Sequence, residues 1–215
     1  MVSLSLLLLV LVSTALLTLL ILLIAPGQQW LDQPVARSAH TLPMPSSGGL
    51  AMVIPFMAGL GYCTYTGILD YRTGLIFGGC LGMALTGLID DIRNLGIRWR
   101  LSVQVVSALW VIFWAGDLGA LQLGSWELQV PAVVHILSGL AFVWLLNLYN
   151  FMDGIDGLAA SEAGFVTLLS FLLVINTGDG TVSTIALMLL AISVGFLIWN
   201  WPPARPVGPT RRKPA

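Results

Sequence analysis

The chain has 215 residues, of which 57% are hydrophobic and 9% are charged, and its mean hydropathy is +0.93. Several apolar runs reach the roughly 20 residues that a helix needs to cross a bilayer, which indicates an integral membrane protein. The net charge of −1 excludes a strongly basic nucleic-acid binder. The two cysteines, Cys63 and Cys80, lie inside apolar runs and are expected to act as small hydrophobes rather than as a disulfide.

The apolar runs predict seven helices, and the fold class is an all-α integral membrane protein of about seven transmembrane helices. In chain order they cover residues 3–25, 48–67, 73–90, 100–116, 130–151, 159–176 and 180–200. The runs are continuous rather than alternating, which favours helices over a β-barrel. The first run is predicted to be an uncleaved span, because no basic residue precedes it and no A-x-A pattern follows it. Residues 1–200 are predicted to form one domain and residues 201–215 a disordered cytoplasmic tail.

The basic residues predict which side of the membrane each loop occupies. Of the nine basic residues, the seven predicted helices place only Arg72 on one side of the membrane. The other eight lie on the opposite side: Arg37, Arg93, Arg98, Arg100, Arg205, Arg211, Arg212 and Lys213. The positive-inside rule then places the N-terminus outside and the C-terminus in the cytoplasm. The acidic clusters described next are therefore predicted to face the cytoplasm.

The first loop and helix start read RSAHTLPMPSSGGLA, residues 37–51. Its prolines stiffen a turn, and Gly48 and Gly49 open the second helix, where free N–H groups can meet an anion. His40 is more often a satisfied loop histidine than a catalyst, and a lone Gly-Gly is a weak signal.

A pair of carboxylates, Asp90 and Asp91, ends the third helix in the segment GLIDDIRNLGIRWRLSVQ, residues 87–104. Adjacent carboxylates repel each other, so a cation between them is favoured. A magnesium ion shared with phosphate oxygens fits that arrangement, because magnesium usually keeps only one or two protein carboxylates. The alternative is a helix stop whose charges are solvated.

A polar row follows in the segment LLNLYNFMDGIDGLAASEAG, residues 145–164. Asn147, Asn150, Asp153 and Asp156 are three residues apart, so on a helix they would share one face. Ionisable groups are costly at membrane depth, and such a row is a functional-site hypothesis by default. The adjacent Gly154 and Gly157 admit a ligand or break the helix there. The alternative is an interfacial helix end solvated by water.

With these segments and NWPPAR, residues 200–205, the chain resembles the polyprenyl-phosphate N-acetylhexosamine-1-phosphate transferases of glycosyltransferase family 4, which are related to the phospho-N-acetylmuramoyl-pentapeptide translocase. It resembles most the branch that starts O-antigen and related glycans. The resemblance implies that a polyprenyl (undecaprenyl) phosphate attacks the β-phosphorus of a UDP-N-acetyl sugar, with Mg²⁺, and releases UMP. The implied partners are therefore the lipid phosphate, the UDP-N-acetylhexosamine and the membrane, and no nucleic acid.

The resemblance also implies residue roles. Asp90 is the candidate that takes a proton from the lipid phosphate, and Asp91 supports the metal or that base. Asp153 and Asp156 would hold the metal and diphosphate, with Asp153 counted among the catalytic residues. The implied substrate-binding residues are Arg37, His40, Gly48, Gly49, Asn147 and Asn150. Of these, Asn147 and Asn150 would bind nucleotide or phosphate oxygens.

Two departures from the family pattern bear on activity. Ser46 stands where relatives usually carry a basic residue. After NWPPAR the relatives continue into a G-D-x-G-S segment whose aspartate binds magnesium, whereas this sequence reads PVGPTRRKPA. The chain is therefore expected to be a C-terminally truncated form of such an enzyme with low or no activity unaided.

Three functions stay open from the sequence. The first is a transferase, active alone, as a homodimer or with a complementing C-terminal chain. The second is a non-catalytic remnant, and the third a small ion-coupled transporter with glycine-broken helices. The carboxylates gather at the predicted cytoplasmic edge rather than at mid-membrane, which argues against transport. The sequence does not indicate the sugar.

Overall fold

The computed structural model describes residues 2–24, 31–32, 44–93, 95–152 and 155–202. Arg37, His40 and Asp153 lie outside these ranges, as does the predicted tail from residue 203 onward. Asp91 lies within a helix, but its side chain is outside the described part.

Helices dominate the described residues, because a helix satisfies its own backbone groups without water. They are α1 Leu4–Ile24, α2 Leu50–Tyr65, α3 Tyr71–Ile76, α4 Gly78–Arg93, α5 Ile97–Ala115, α6 Pro131–Met152, α7 Leu158–Val174 and α8 Gly180–Asn200. A 3₁₀ turn, Ser46–Gly49, precedes α2. Each of the seven predicted helices is present, and the run predicted at 73–90 is divided at Phe77 into α3 and α4.

Two antiparallel strand pairs complete the described elements, and the sequence analysis predicted neither of them. β1 Leu31–Asp32 pairs with β2 Met44–Pro45. β3 Leu121–Leu123 pairs with β4 Trp126–Leu128 across the turn at Gly124, whose φ is 62°. The second pair is a short hairpin between α5 and α6.

Four helices in the described part are long and apolar enough to cross a membrane: α1, α3 with α4 as Tyr71–Asp90, α6 and α8. Two more apolar helices, α2 and α7, are shorter. With this content of apolar helices, the chain is an integral membrane protein. Two acidic residues outside the predicted site begin helices: Asp70 caps α3, and Asp179 accepts hydrogen bonds from Thr181 and Val182 at the start of α8.

The chain divides into two units. The first comprises residues 1–59 and 152–215, and the second residues 60–151. In the first, α8 packs against both α1 and α7, and the buried side chain of Thr14 in α1 lies close to Gly195 of α8. In the second, α5 packs against α3 and α4. The second unit carries the polar cleft described next.

Candidate functional site

A polar cleft of about 290 Å³ lies in the second unit, where α4 ends, α5 begins and α6 ends. Three helices therefore converge with their polar ends together, although each is mainly apolar along its length. The polar residues that line the cleft are Thr86, Asp90, Arg100, Gln104, Asn147 and Asn150. Asp90, Asn147 and Asn150, which the sequence predicted as site residues, are thus brought together.

An ion pair between Asp90 and Arg100 closes the turn from α4 to α5. Arg100 Nη1 lies 3.3 Å from Asp90 Oδ2, and the two side chains are 40% and 25% exposed. Asp90 Oδ1 accepts a hydrogen bond of 2.6 Å from the backbone N–H of Leu95. Asp90 therefore stabilises the start of α5 and holds the Arg100 guanidinium beside the cleft.

An amide pair between Gln104 and Asn147 connects α5 to α6. Asn147 Nδ2 donates to Gln104 Oε1 over 2.8 Å, and Gln104 Nε2 donates to Asn147 Oδ1 over 3.4 Å. Asn147 Nδ2 also donates to the carbonyl of Val143 over 2.8 Å. The Gln104 side chain is buried, with Gln104 8% exposed. Gln104 was not among the predicted site residues, although a polar residue inside an apolar run is a signal that could have indicated it.

The predicted helical row holds for Asn147 and Asn150 and then ends. α6 stops at Met152, and Asp156 lies in the turn before α7. Gly157 follows with a φ of 70°, a left-handed conformation that favours glycine, and this explains why the helix breaks here. The expectation that Asp156 shares one helical face with the two asparagines is corrected by this break.

Asp156 and its neighbours belong to the first unit. Asp156 is partly buried there, and the backbone N–H of Gly157 donates to Asn200 Oδ1 over 2.8 Å. A Cβ added at Gly157 would lie 2.9 Å from Pro202 Cδ and 3.3 Å from the carbonyl oxygen of Asn200, so these two residues pack directly against this turn. Gly48 and Gly49 lie in the 3₁₀ turn of the same unit, and Gly48 faces the ring of Phe196.

Among the described side chains that line the cleft, Asp90 is the one carboxylate that a magnesium ion could use. No group of three or more His, Cys, Asp or Glu side chains comes together within the ranges that the structure describes. At the cleft, the Asp90 carboxylate already accepts from Leu95 and faces the Arg100 guanidinium, a cation that disfavours a second cation there. Of the two predicted metal ligands, Asp153 lies outside the described residues and Asp156 lies in the turn before α7.

An apolar groove of about 280 Å³ runs between α5 and α6, beginning one turn from the amide pair. Val105 and Val143 line its start, and Ile112 and Gly139 lie farther along it. At its far end His135 joins the two helices, because its Nε2 lies 3.0 Å from the carbonyl of Gly116 and its Nδ1 lies 2.6 Å from that of Pro131. Hence a polar cleft and an apolar groove share the same two helices.

Residues 73–206 match the family model described as glycosyl transferase family 4. This match covers more than half of the chain and includes every residue that lines the polar cleft. The chain belongs to glycosyl transferase family 4.

Curated relatives agree with this assignment. The chain is 28% identical over 179 residues to a probable undecaprenyl-phosphate N-acetylglucosaminyl 1-phosphate transferase of Bacillus subtilis (strain 168), covering 81% of this chain and 49% of the relative. It is 33% identical over 138 residues to a phospho-N-acetylmuramoyl-pentapeptide-transferase of Moorella thermoacetica, covering 58% and 43%. It is 26% identical over 190 residues to an undecaprenyl-phosphate alpha-N-acetylglucosaminyl 1-phosphate transferase of Thermotoga maritima, covering 88% and 54%. The chain thus spans about half the length of these relatives.

Proposed function

We propose that the protein transfers an N-acetylhexosamine 1-phosphate from a UDP-sugar to polyprenyl phosphate and so starts a cell-surface glycan such as O-antigen. The observation that carries this proposal is the polar cleft with Asp90, Arg100 and two asparagine amides, which lies wholly within the segment matched to glycosyl transferase family 4. The names of the relatives support the same chemistry, since two of them specify undecaprenyl phosphate and N-acetylglucosaminyl 1-phosphate.

The proposed reaction exchanges one phosphorus–oxygen bond for another. An oxygen of the lipid phosphate attacks the β-phosphorus of the UDP-sugar and forms a new P–O bond. The bond from the β-phosphorus to the bridging oxygen breaks, and that oxygen leaves with UMP. Reactant and product are both strongly anionic, so the site must lower charge repulsion and align the two phosphates.

Three cleft residues have proposed roles in this exchange. Arg100 supplies positive charge to the phosphates, because a guanidinium matches phosphate oxygens well. Asp90, as the resemblance implies, accepts the proton of the lipid phosphate, and its contact with Arg100 also holds that cation in place. An asparagine amide donates hydrogen bonds to phosphate or nucleotide oxygens. Magnesium held by Asp153 and Asp156 stays a prediction.

The apolar groove beside the cleft supports a lipid acceptor. Its walls are the hydrophobic faces of α5 and α6, which also carry Arg100 and Asn147 at the cleft. A polyprenyl chain lying along such a groove would keep its tail out of water while its phosphate meets the polar end.

We also propose that the cleft faces the cytoplasm of a bacterial inner membrane. Arg93, Arg98 and Arg100 cluster at the cleft end of α4 and α5, in agreement with the positive-inside rule. The β3–β4 hairpin at the other end of α5 would face outward. In a chain whose Cys63 and Cys80 are replaced by alanine, a cysteine at the exposed Ser125 is expected to react with an impermeant thiol reagent in intact spheroplasts. A cysteine at Trp99 should react only after the membranes are opened, and the reverse pattern contradicts the proposed sidedness.

The test of the reaction is release of UMP from UDP-N-acetylglucosamine, and from its N-acetylated relatives, by membranes that contain the chain, undecaprenyl phosphate and magnesium. Asp90→Asn and Arg100→Gln are each expected to lower kcat by about 100-fold or more, as the loss of an electrostatic contact in the transition state does. Asp153→Asn is expected to abolish release.

Glu127→Gln is the matched control, since it removes one exposed carboxylate from β4, away from the cleft. It is expected to leave the rate unchanged. If inserted wild-type chain releases no UMP with any of these sugars, the chain by itself is not such a transferase. If Asp90→Asn retains full activity, the cleft is not the site of transfer.

A further inference from the structure

The Gln104–Asn147 amide pair determines which amide of the cleft can bind a substrate. An asparagine side chain has two N–H donors. Asn147 uses both of them within the protein, one toward Gln104 Oε1 and one toward the carbonyl of Val143, each over 2.8 Å. Asn147 therefore has no N–H group left to donate to a phosphate or nucleotide oxygen, although the sequence predicted that role for it.

Asn150 differs from Asn147 in this respect. It lies three residues farther along α6, on the same helical face, and lines the same cleft. Its side chain is exposed and makes no hydrogen bond to another residue that the structure describes. Both of its N–H donors are therefore available at the cleft, and they lie near the end of the helix.

Gln104 is placed to control this arrangement from the opposite helix. It is 8% exposed, and a buried amide without partners would be costly, so its pairing with Asn147 explains why an amide is tolerated at this position. It also follows Arg100 by one helical turn on the same face of α5. One buried side chain thus connects the helix that carries the cation to the helix that carries the available amide.

We propose that Gln104 is a positioning residue of the transfer site: by pairing with Asn147 it fixes α6 so that Asn150, rather than Asn147, donates to the substrate. This inference rests on the proposed function and deepens it. It predicts that the pair can be exchanged, because neither amide of the pair needs to touch the substrate.

The experiment compares four variants in the UMP-release assay with UDP-N-acetylglucosamine and undecaprenyl phosphate. Gln104→Asn shortens one partner and Asn147→Gln lengthens the other, so each change alone breaks the fit between the two amides. Each is expected to lower kcat/KM by about 10-fold or more, as a displacement of about 1 Å in a site can do. The double variant Gln104→Asn/Asn147→Gln restores the summed length of the two side chains. Its kcat/KM is expected to return to within about 3-fold of the wild-type value, a smaller loss than the tenfold that corresponds to about 1.4 kcal/mol. The fourth variant, Asn150→Leu in the wild-type chain, is expected to lose activity.

The outcomes separate the two proposals. If the wild type is active and both single variants match its kcat/KM, the positioning role of Gln104 is wrong while the proposed function stands. If the double variant is as impaired as the product of the single effects, Asn147 itself contacts the substrate and the positioning role is again wrong. If the inserted wild type neither releases UMP nor binds UDP-N-acetylglucosamine, the proposed function fails and takes this inference with it. Thermal unfolding in detergent confirms that each variant is folded.

Discussion

The two units of the chain hold their apolar helices together by different kinds of contact. In the first unit the helices approach closely through small residues, and one polar side chain, that of Trp199 in α8, also donates to the carbonyl of Ala15 in α1 over 2.9 Å. In the second unit they are joined by hydrogen bonds from polar side chains. The candidate site lies in the second unit, so the comparison shows which kind of contact accompanies the site.

In the first unit α8 is the central helix, and 44% of its most apolar stretch is buried. Its Gly195 meets α1 so closely that an added Cβ would lie 2.6 Å from the carbonyl oxygen of Leu11. Hydroxyl groups here bond mostly within their own helix: Thr14 to Val10 and Ser193 to Leu189, each over 2.8 Å. The packing is thus one of small surfaces in close contact, as is common between membrane helices.

In the second unit the helices are linked by polar side chains. Ser107 donates to the carbonyl of Gly79 over 3.3 Å, and Trp110 Nε1 donates to that of Leu75 over 2.7 Å. The amide pair of Gln104 continues this series along α5. Only 6% of the most apolar stretch of α6 is buried, so α6 has little packing beside its contacts with α5 through Asn147 and His135. Directed bonds set the orientation of side chains, which a site for phosphate chemistry requires.

The largest effect is expected from Gly195→Val, which attacks the close approach in the first unit. The new side chain would overlap the backbone of Leu11 and Thr14 Cβ, which lies 3.0 Å from the position of the added Cβ. We expect a loss of about 3 kcal/mol or failure to fold, because overpacking against backbone cannot relax cheaply. Thermal unfolding in detergent measures it.

Gly61→Ala is a control for adding a Cβ to a helical glycine where the surrounding space is open. Gly61 is also helical, in α2, but nothing lies within 4 Å of an added Cβ there. Alanine is expected to be neutral or to stabilise by about 0.5–1 kcal/mol, since it is the better helix former. Equal losses at both glycines would show that the close approach of α1 and α8 is not the cause.

A smaller effect is expected from Trp110→Phe, which removes one bond between helices of the second unit while keeping an aromatic ring. The carbonyl of Leu75 loses its donor at 2.7 Å. We expect a loss of about 1 kcal/mol, the usual size for one hydrogen bond. Trp126→Phe, at an exposed position in β4 that is 81% exposed, is the control and should change the unfolding midpoint little. An equal shift in both would mean that the lost bond contributes nothing.

The smallest effect is expected at His135, where two substitutions sharpen the comparison. His135→Leu removes both ring nitrogens from the carbonyls of Pro131 and Gly116, whereas His135→Gln keeps an N–H donor. Hydrogen bonds between membrane helices average about 0.6 kcal/mol, so the leucine variant should lose about that amount and the glutamine variant less. A leucine variant as stable as the wild type would show that the His135 contact contributes nothing to the attachment of α6 to α5.

The helices could be predicted from the sequence because each apolar run has only one way to satisfy its backbone in lipid. The break near Gly157 was also visible, since glycines follow the asparagines of α6. The β3–β4 hairpin was not predicted although LQLGSWEL carries a two-residue turn with glycine, because strands of three residues are too short to show a clear alternation of polar and apolar residues.

The contacts of the site were less predictable than its location. Asp90 was predicted to be a catalytic base next to a second carboxylate, and the structure pairs it with Arg100, a residue that had been predicted only to mark the cytoplasmic side. Gln104 was passed over because a single polar residue in an apolar run does not reveal its partner, here 43 residues farther along the chain. Helix positions follow from local pattern, whereas partners between helices depend on packing, which local pattern does not contain.

The hydrogen-bonding contacts at the two ends of the apolar groove attach α6 to α5 at two separate points. Gln104 meets Asn147 near one end, Gly116 meets His135 near the other, and Ile112 touches Gly139 between them. Each step along α5 is matched by an equal step back along α6, so the helices run antiparallel in one fixed register. The two contact points on α6, Asn147 and His135, are about 18 Å apart along the helix, at about 1.5 Å per residue. Sliding α6 by one turn, about 5.4 Å, would break both at once. A helix with little buried surface is therefore held against sliding and rotation, and Asn150 keeps its place at the cleft.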